Sequence, residues 1–236
     1  MQTVPDNPVA SRFLFTETTA PASGLFLPLL LTLILLLAGC SGTYYSAMEK
    51  VGIYKRDILV DRVEEARDSQ DEARKQFTSA LEKFASIVQL RDTDLKKAYS
   101  TLDSEYKKSR KAAQKVSERI DSVEDVSEEL FYEWDRELDQ YSNRELRRAS
   151  EQQLRETRAR YDKMLASMRA AEKTMEPILK SFHDNVLFLK HNLNAQAIGS
   201  LQGEFSSLKQ QIDQLIVKMK KAIAQSDLFI ARMNRN

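Results

Sequence analysis

Between residues 59 and 88 apolar positions recur at alternating steps of three and four: Leu59, Val63, Ala66, Gln70, Ala73, Phe77, Leu81, Phe84 and Val88. The rhythm returns in three further segments. The second reads Leu95, Tyr99, Leu102, Tyr106, Ser109, Ala113, Val116, Ile120, Val123, Ser127, Leu130 and Trp134. The third reads Leu154, Thr157, Tyr161, Met164, Met168, Ala171, Met175, Ile178, Phe182, Val186, Leu189 and Leu193. The fourth reads Leu201, Phe205, Leu208, Ile212, Leu215, Met219, Ala222, Ser226, Phe229 and Met233. Such steps keep every residue on one stripe of an α-helix, near a repeat of about 3.5 residues. The strict alternation of a half-buried strand is nowhere sustained. Four long helices are predicted, at about 47–90, 94–140, 143–193 and 196–233.

The breaks carry their own chemistry. Asp92-Thr93-Asp94 offers side-chain oxygens to cap the second helix. Ser142-Asn143-Arg144-Glu145 reads as a capping box with Ser142 as the cap. His191-Asn192-Leu193-Asn194 suits the end of one helix and the start of the next, with Gly199 and Gly203 just beyond. Helices three and four could also run on as one bent helix. Short connections between long helices make neighbours antiparallel. The expected fold is therefore all-α, an elongated antiparallel bundle or coiled coil of three to four helices. At 1.5 Å per residue it would be about 70 Å long. Pro177 is expected to kink helix three, because it cannot donate to the Lys173 carbonyl.

Charge placement suggests the pairing. Folding back near residue 92 sets Glu64, Asp68 and Glu72 beside Arg119, Lys115 and Lys111. Folding back near 142 sets Glu128 and Asp125 against Arg155 and Arg158. Composition agrees with long helices: 30% of residues are charged, and of only 5 prolines just Pro177 lies beyond Cys40. The formal net charge of +1 gives no field for nucleic acid or acidic lipid.

Leu25 to Cys40 is different in kind, an apolar run ending at the single cysteine. It is too short for the ~20 residues of a membrane span and falls close to the h-region length of a signal peptide. Leu37-Ala38-Gly39 directly before Cys40 is the small-residue cleavage pattern of a bacterial lipoprotein signal, in which the following thiol receives the lipid. Arg12 is the lone cation before the run, opposed by Asp6 and Glu17. The expected organisation is a removed signal peptide at 1–39, a lipidated tether at 40–46 and a helical bundle at 47–236. With no second thiol the fold must be held by packing, and roughly 197 residues exceed the size at which small domains need staples. Tyr44 and Tyr45, close behind the lipid, are candidates for the membrane interface.

No catalytic constellation is present. A glycine-rich phosphate loop and a GxSxG elbow are both missing. His183 and His191 sit about 12 Å apart along one helix, too far to share an ion unaided. The stripe methionines Met164, Met168 and Met175 read as core, and Trp134 as an anchor at the bundle end. The basic cluster at 107–119 reads as a face matched by Glu64–Glu72. No enzyme activity, cofactor, metal, nucleic acid or small-molecule substrate is expected.

Residues 44–73 (YYSAMEKVGIYKRDILVDRVEEARDSQDEA), 121–138 (DSVEDVSEELFYEWDREL) and 187–201 (LFLKHNLNAQAIGSL) resemble an uncharacterised proteobacterial family, domain of unknown function 2959. The resemblance covers nearly the whole chain after Cys40. It implies an envelope lipoprotein of a Gram-negative cell and supplies no activity. By analogy with lipoprotein sorting, Ser41 in place of an aspartate implies the outer membrane, facing the periplasm. The expected role is structural or adaptor, with helix faces that bind an envelope protein or a second copy. Ile53, Leu59 and Phe131 are the candidate contact residues. The alternative is a membrane-shaping bundle of BAR type using the cations of Arg144 to Lys163.

Overall fold

The computed structural model describes Met48 and residues 54–89, 94–192 and 195–235. Four long helices account for nearly all of them: α1 (Lys55–Gln89), α2 (Leu95–Glu137), α3 (Arg144–His191) and α4 (Ala195–Met233). A single 3-10 turn, Leu138–Gln140, follows α2, and no strand occurs among the described residues. The third and fourth segments are two helices, not one. Consecutive helices are joined by short connections and pack on one another antiparallel, and α1 also packs on α4, so the four close into a ring. Across the diagonals the backbones stay apart and core side chains meet, as Phe84 of α1 and Phe182 of α3 do.

Helix boundaries follow from local hydrogen bonding. Asp94 caps α2 by accepting from the Lys97 amide at 3.1 Å. At α3 the cap is Asn143, not the expected Ser142. The Asn143 side-chain Oδ1 accepts from two free amides, Glu145 at 2.8 Å and Leu146 at 3.2 Å. That double acceptance moves the helix start one residue beyond the capping-box reading. Along α3 the chain passes through Pro177 without leaving the helix. Pro177 and Lys173 both lie on the exposed face, where water can serve the orphaned carbonyl.

The core is the four predicted stripes. Every described stripe residue is buried or half-buried, down to the polar members Gln70, Ser109, Ser127, Thr157 and Ser226. One aromatic layer takes a ring from each helix. Phe84 stacks on Phe182 at 6.2 Å and meets Phe205 edge-on at 5.6 Å, while Tyr106 meets Phe182 edge-on at 6.1 Å. Nearer the other end, Tyr161 bridges Phe131 at 5.3 Å and Phe229 at 6.3 Å. Such pairs add about 0.5–1.5 kcal/mol each beyond the area they bury.

Cross-helix polar contacts fix the register. Glu72 pairs with Lys115 at 2.6 Å and Glu65 with Arg119 at 2.8 Å. The acidic face of α1 thus meets the basic face of α2, but Glu72 takes Lys115 where charge spacing alone assigned Lys111. Between α2 and α3 the expected Glu128/Asp125 to Arg155/Arg158 pairing is replaced. Arg169 takes Asp121 at 2.6 Å and also Glu124, Arg155 bonds Glu151 on its own helix, and Arg158 lies over the Phe131 ring. Counting back from a turn gives the right faces; the width of the turn sets how far the pairs slide. The α1–α4 junction is fastened near both ends and between them. Gln202 donates to the Val88 carbonyl at 2.7 Å, Arg67 pairs with Asp227 at 3.2 Å, and Arg56 donates to the Met233 carbonyl.

Most buried hydroxyls are satisfied by the preceding turn, as Ser226 is by the Ala222 carbonyl at 2.9 Å. Ser109 and Gln70 are the exceptions: both are fully buried, and neither the Ser109 hydroxyl nor either Gln70 amide atom is hydrogen-bonded. An unsatisfied buried amide costs about 1–3 kcal/mol. Gln70→Met, close in shape and without the amide, is expected to raise stability by about 1–2 kcal/mol in urea unfolding, and a loss would show the amide to be satisfied. Phe84→Ala empties the four-ring layer and is expected to cost about 3–5 kcal/mol in the same experiment.

Candidate functional site

The end of the bundle where α1 begins is also where α2 ends, α3 starts and α4 finishes. Its pieces are tied together. Lys55, 5% exposed, reaches Glu133 of α2 at 2.9 Å, and the Trp134 indole donates to Ser150 of α3 at 2.9 Å. Trp134 is thus the anchor expected of it. A groove of about 470 Å³ opens here between Arg56, Leu130, Trp134, Thr157 and Met233. Met48 packs, half-buried, on the core. The first buried residue of α3 is Leu154, so its opening turns and the end of α2 form a spur carrying exposed Tyr141 and Leu146.

Further along, the polar chemistry is internal bracing. Burial works against the charge of Arg169, but its bonds to Glu124, Glu172 and Asp121 overcome this and raise its pKa above the ordinary guanidinium value. Burial pushes the Tyr161 phenol up to about 12, and the Ser127 hydroxyl bonds it at 2.5 Å. The phenol therefore stays protonated through neutral pH and serves as a buried hydrogen-bonding group. Glu105, 6% exposed, is held by Lys108 and Gln76, each at 2.8 Å. Burial alone would raise its pKa; those two bonds and the nearby Lys83 prevail and lower it.

The sequence-predicted lipidation and cleavage residues, Cys40 with Leu37, Ala38 and Gly39, lie outside the described residues, as do Tyr44, Tyr45 and Ile53. Two proposed contact residues are corrected. Leu59 is fully buried and Phe131 is 5% exposed, because both complete the inner stripes, so neither can meet a partner. His183 stacks on Tyr106 at 4.9 Å, while His191 is exposed in the last turn of α3. Among the described residues no group of three or more His, Cys, Asp or Glu is arranged to hold a metal ion. Met164, Met168 and Met175 are buried core. In the basic cluster Lys107, Lys108, Lys115 and Arg119 are all paired with acids. No helix of the described residues is long and apolar enough to cross a membrane.

What the stripes did not reveal is the outward-facing set: Tyr54, Tyr132, Leu146, Val217 and Leu228 are each more than half exposed. Their signal is a large apolar residue off the inner stripe, legible only once that stripe is drawn. The arrangement offers surfaces and bracing, with no convergent set of reactive groups among the described residues.

Residues 44–233 match the sequence model of a family described as Protein of unknown function (DUF2959). No curated protein and no solved structure matches the chain.

The Glu105 bracing predicts a pH dependence. A carboxyl whose folded pKa lies below its ordinary value of 4.5 adds stability that is complete at neutral pH. That stability drains as the pH falls through the folded value. Glu105→Gln is therefore expected to cost about 1–2 kcal/mol at pH 7 and much less near pH 3, read by urea unfolding at both. An equal loss at both would assign the residue a packing role only.

Proposed function

The chain belongs to the DUF2959 family, and from that membership we propose a non-enzymatic envelope lipoprotein that acts as a structural or adaptor element. In this reading the acylated Cys40 holds it at the outer membrane of a Gram-negative cell, facing the periplasm. The observation that carries the proposal is one of arrangement. A lipoprotein-type junction, Leu37-Ala38-Gly39-Cys40, stands directly before a compact unit that begins at Tyr44. In the sequence a lipid at Cys40 would be only three residues, 41–43, from Tyr44 and Tyr45, whose amphipathic rings suit the headgroup boundary.

The adaptor role is supported by what the helices do with their charges. Most cross-helix ions are used in bracing the bundle, and the surfaces left over suit a protein partner or a second copy. The membrane-shaping alternative is less well supported, because several of the cations it needs are matched by acids. Arg147 pairs with Asp139, Arg155 with Glu151 and Arg160 with Glu156.

Metabolic labelling with palmitate tests the tether. The wild-type chain is expected to incorporate label and fractionate with outer membranes. Cys40→Ser is expected to lose the label and accumulate as the larger, unprocessed chain. An unlabelled wild-type chain of mature size overturns the proposal.

A further inference from the structure

We propose that the outer face of α4 is a self-association surface, pairing antiparallel with the same face of a second copy. The observation is a second seam. Beginning at Ser200, exposed positions of α4 advance by alternating steps of three and four through Gly203 and Ser207, then Gln210 and Gln214, then Val217. The steps continue through Lys221 and Ala224 to Leu228, and every one of these residues is exposed. Lys221 is the only charge among them. A residue and its neighbour two positions on differ by about 200° around a helix, so this seam lies opposite the buried one that contains Leu215 and Met219. The outer face of α1 differs. Every exposed residue from Asp57 to Lys83 is charged.

Three features of the seam select a second copy. First, it is self-complementary in size when reversed. Its N-terminal half is small (Ser200, Gly203, Ser207) and its C-terminal half is larger (Val217, Lys221, Leu228). With Gln210 laid against Gln214 of the second copy, Ser207 meets Val217 and Gly203 meets Lys221. The lysine stem crosses the glycine and its ammonium leaves at the edge. Second, the flanking charges match. This register brings Glu204 to Lys218 and Lys221 of the second copy, twice by symmetry. Glu204 makes no ion pair within its own chain among the described residues. A parallel pairing would instead stack Lys221 on itself. Third, the extent suffices. Seam and flanks supply roughly 20 residues a side, the size of a standard stable interface.

Gly203 adds to this. A Cβ at that position would meet nothing within 4 Å, so no neighbour in the chain requires a glycine in a helix interior it destabilises. A crossing helix from another molecule does. The proposal gives the adaptor reading its partner but does not depend on acylation, so the two fail separately: palmitate labelling tests one, association the other.

The test uses the full chain in detergent, with oxidative crosslinking and light scattering. Ser207→Cys and Val217→Cys singly, each made with Cys40→Ser so that no other thiol is present, are expected to give no covalent dimer. The double variant in the same background is expected to give one, since the two positions lie about 15 Å apart along one helix but meet across the two-fold. Val217→Glu with Leu228→Glu is expected to weaken association about tenfold or more while leaving helicity and melting unchanged, both side chains being exposed. Dimers from the single variants would establish a parallel pairing and overturn the proposed register. A monomeric wild-type chain, or a dimer indifferent to the two glutamates, would overturn the surface itself and leave a different envelope protein as its occupant.

Discussion

Closure of the ring by α1 against α4 is the contact on which the rest depends. The other three junctions are hairpins, which a short turn makes local and cheap in chain entropy. A hairpin, however, covers only one flank of each seam. Phe84 of α1 is fully buried because Phe182 of α3 and Phe205 of α4 reach it, and those two helices lie beyond α2 in the chain. Without the α1–α4 junction Leu59, Val63 and Phe77 would each keep a wet side, and at about 25 cal/mol per Å² that exposure is large against a net stability of 5–15 kcal/mol. The polar fasteners along the junction, Gln202 to Val88, Arg67 to Asp227 and Arg56 to Met233, add little free energy themselves. They select the one axial setting at which the aromatic layer interlocks.

Selection of register is the common role of the polar groups elsewhere. Helices with uninterrupted apolar seams can slide by a heptad at small cost. In this chain a slide would separate Arg169 from Asp121 and Glu124 together, and Glu105 from Gln76. Stranding a mostly buried charge costs far more than an exposed pair returns. The orphaned Gln70 amide belongs to the same logic, since a polar side chain at a seam position disfavours alternative alignments at a cost in stability.

The fold was legible because burial here is set by period alone. Each described residue on the four sequence stripes lies inside, including Gln70, Ser109 and Thr157, whose chemistry by itself points outward. Register was legible only in part. Opposite charges named the faces that meet, but Glu72 took Lys115, one turn from Lys111, because the offset depends on turn geometry that no side-chain pattern encodes. The cap passed from Ser142 to Asn143 for a similar reason, being decided by which oxygen reaches two amides. Leu59 was misjudged as surface although it heads the first stripe, and Phe131 because a seam in a closed ring is broader than a single line of residues. It takes in positions flanking the a/d stripe wherever two neighbours converge.

The breadth of the inner seams also explains how α4 can carry a second seam without confusing the fold. Two equally apolar faces on one helix would let it pack either way round, and the bundle would lose its unique core. The inner face of α4 is built from Leu208, Ile212, Leu215, Met219 and Phe229, all buried. Its outer face holds serine, glycine and glutamine with isolated Val217 and Leu228. The difference in burial energy between these faces amounts to several large apolar side chains at ~1.5–3 kcal/mol each. That gap orients the helix inward during folding. What remains outside is too weak to compete for the core, yet regular enough in spacing and charge to be read by another helix once the ring has closed.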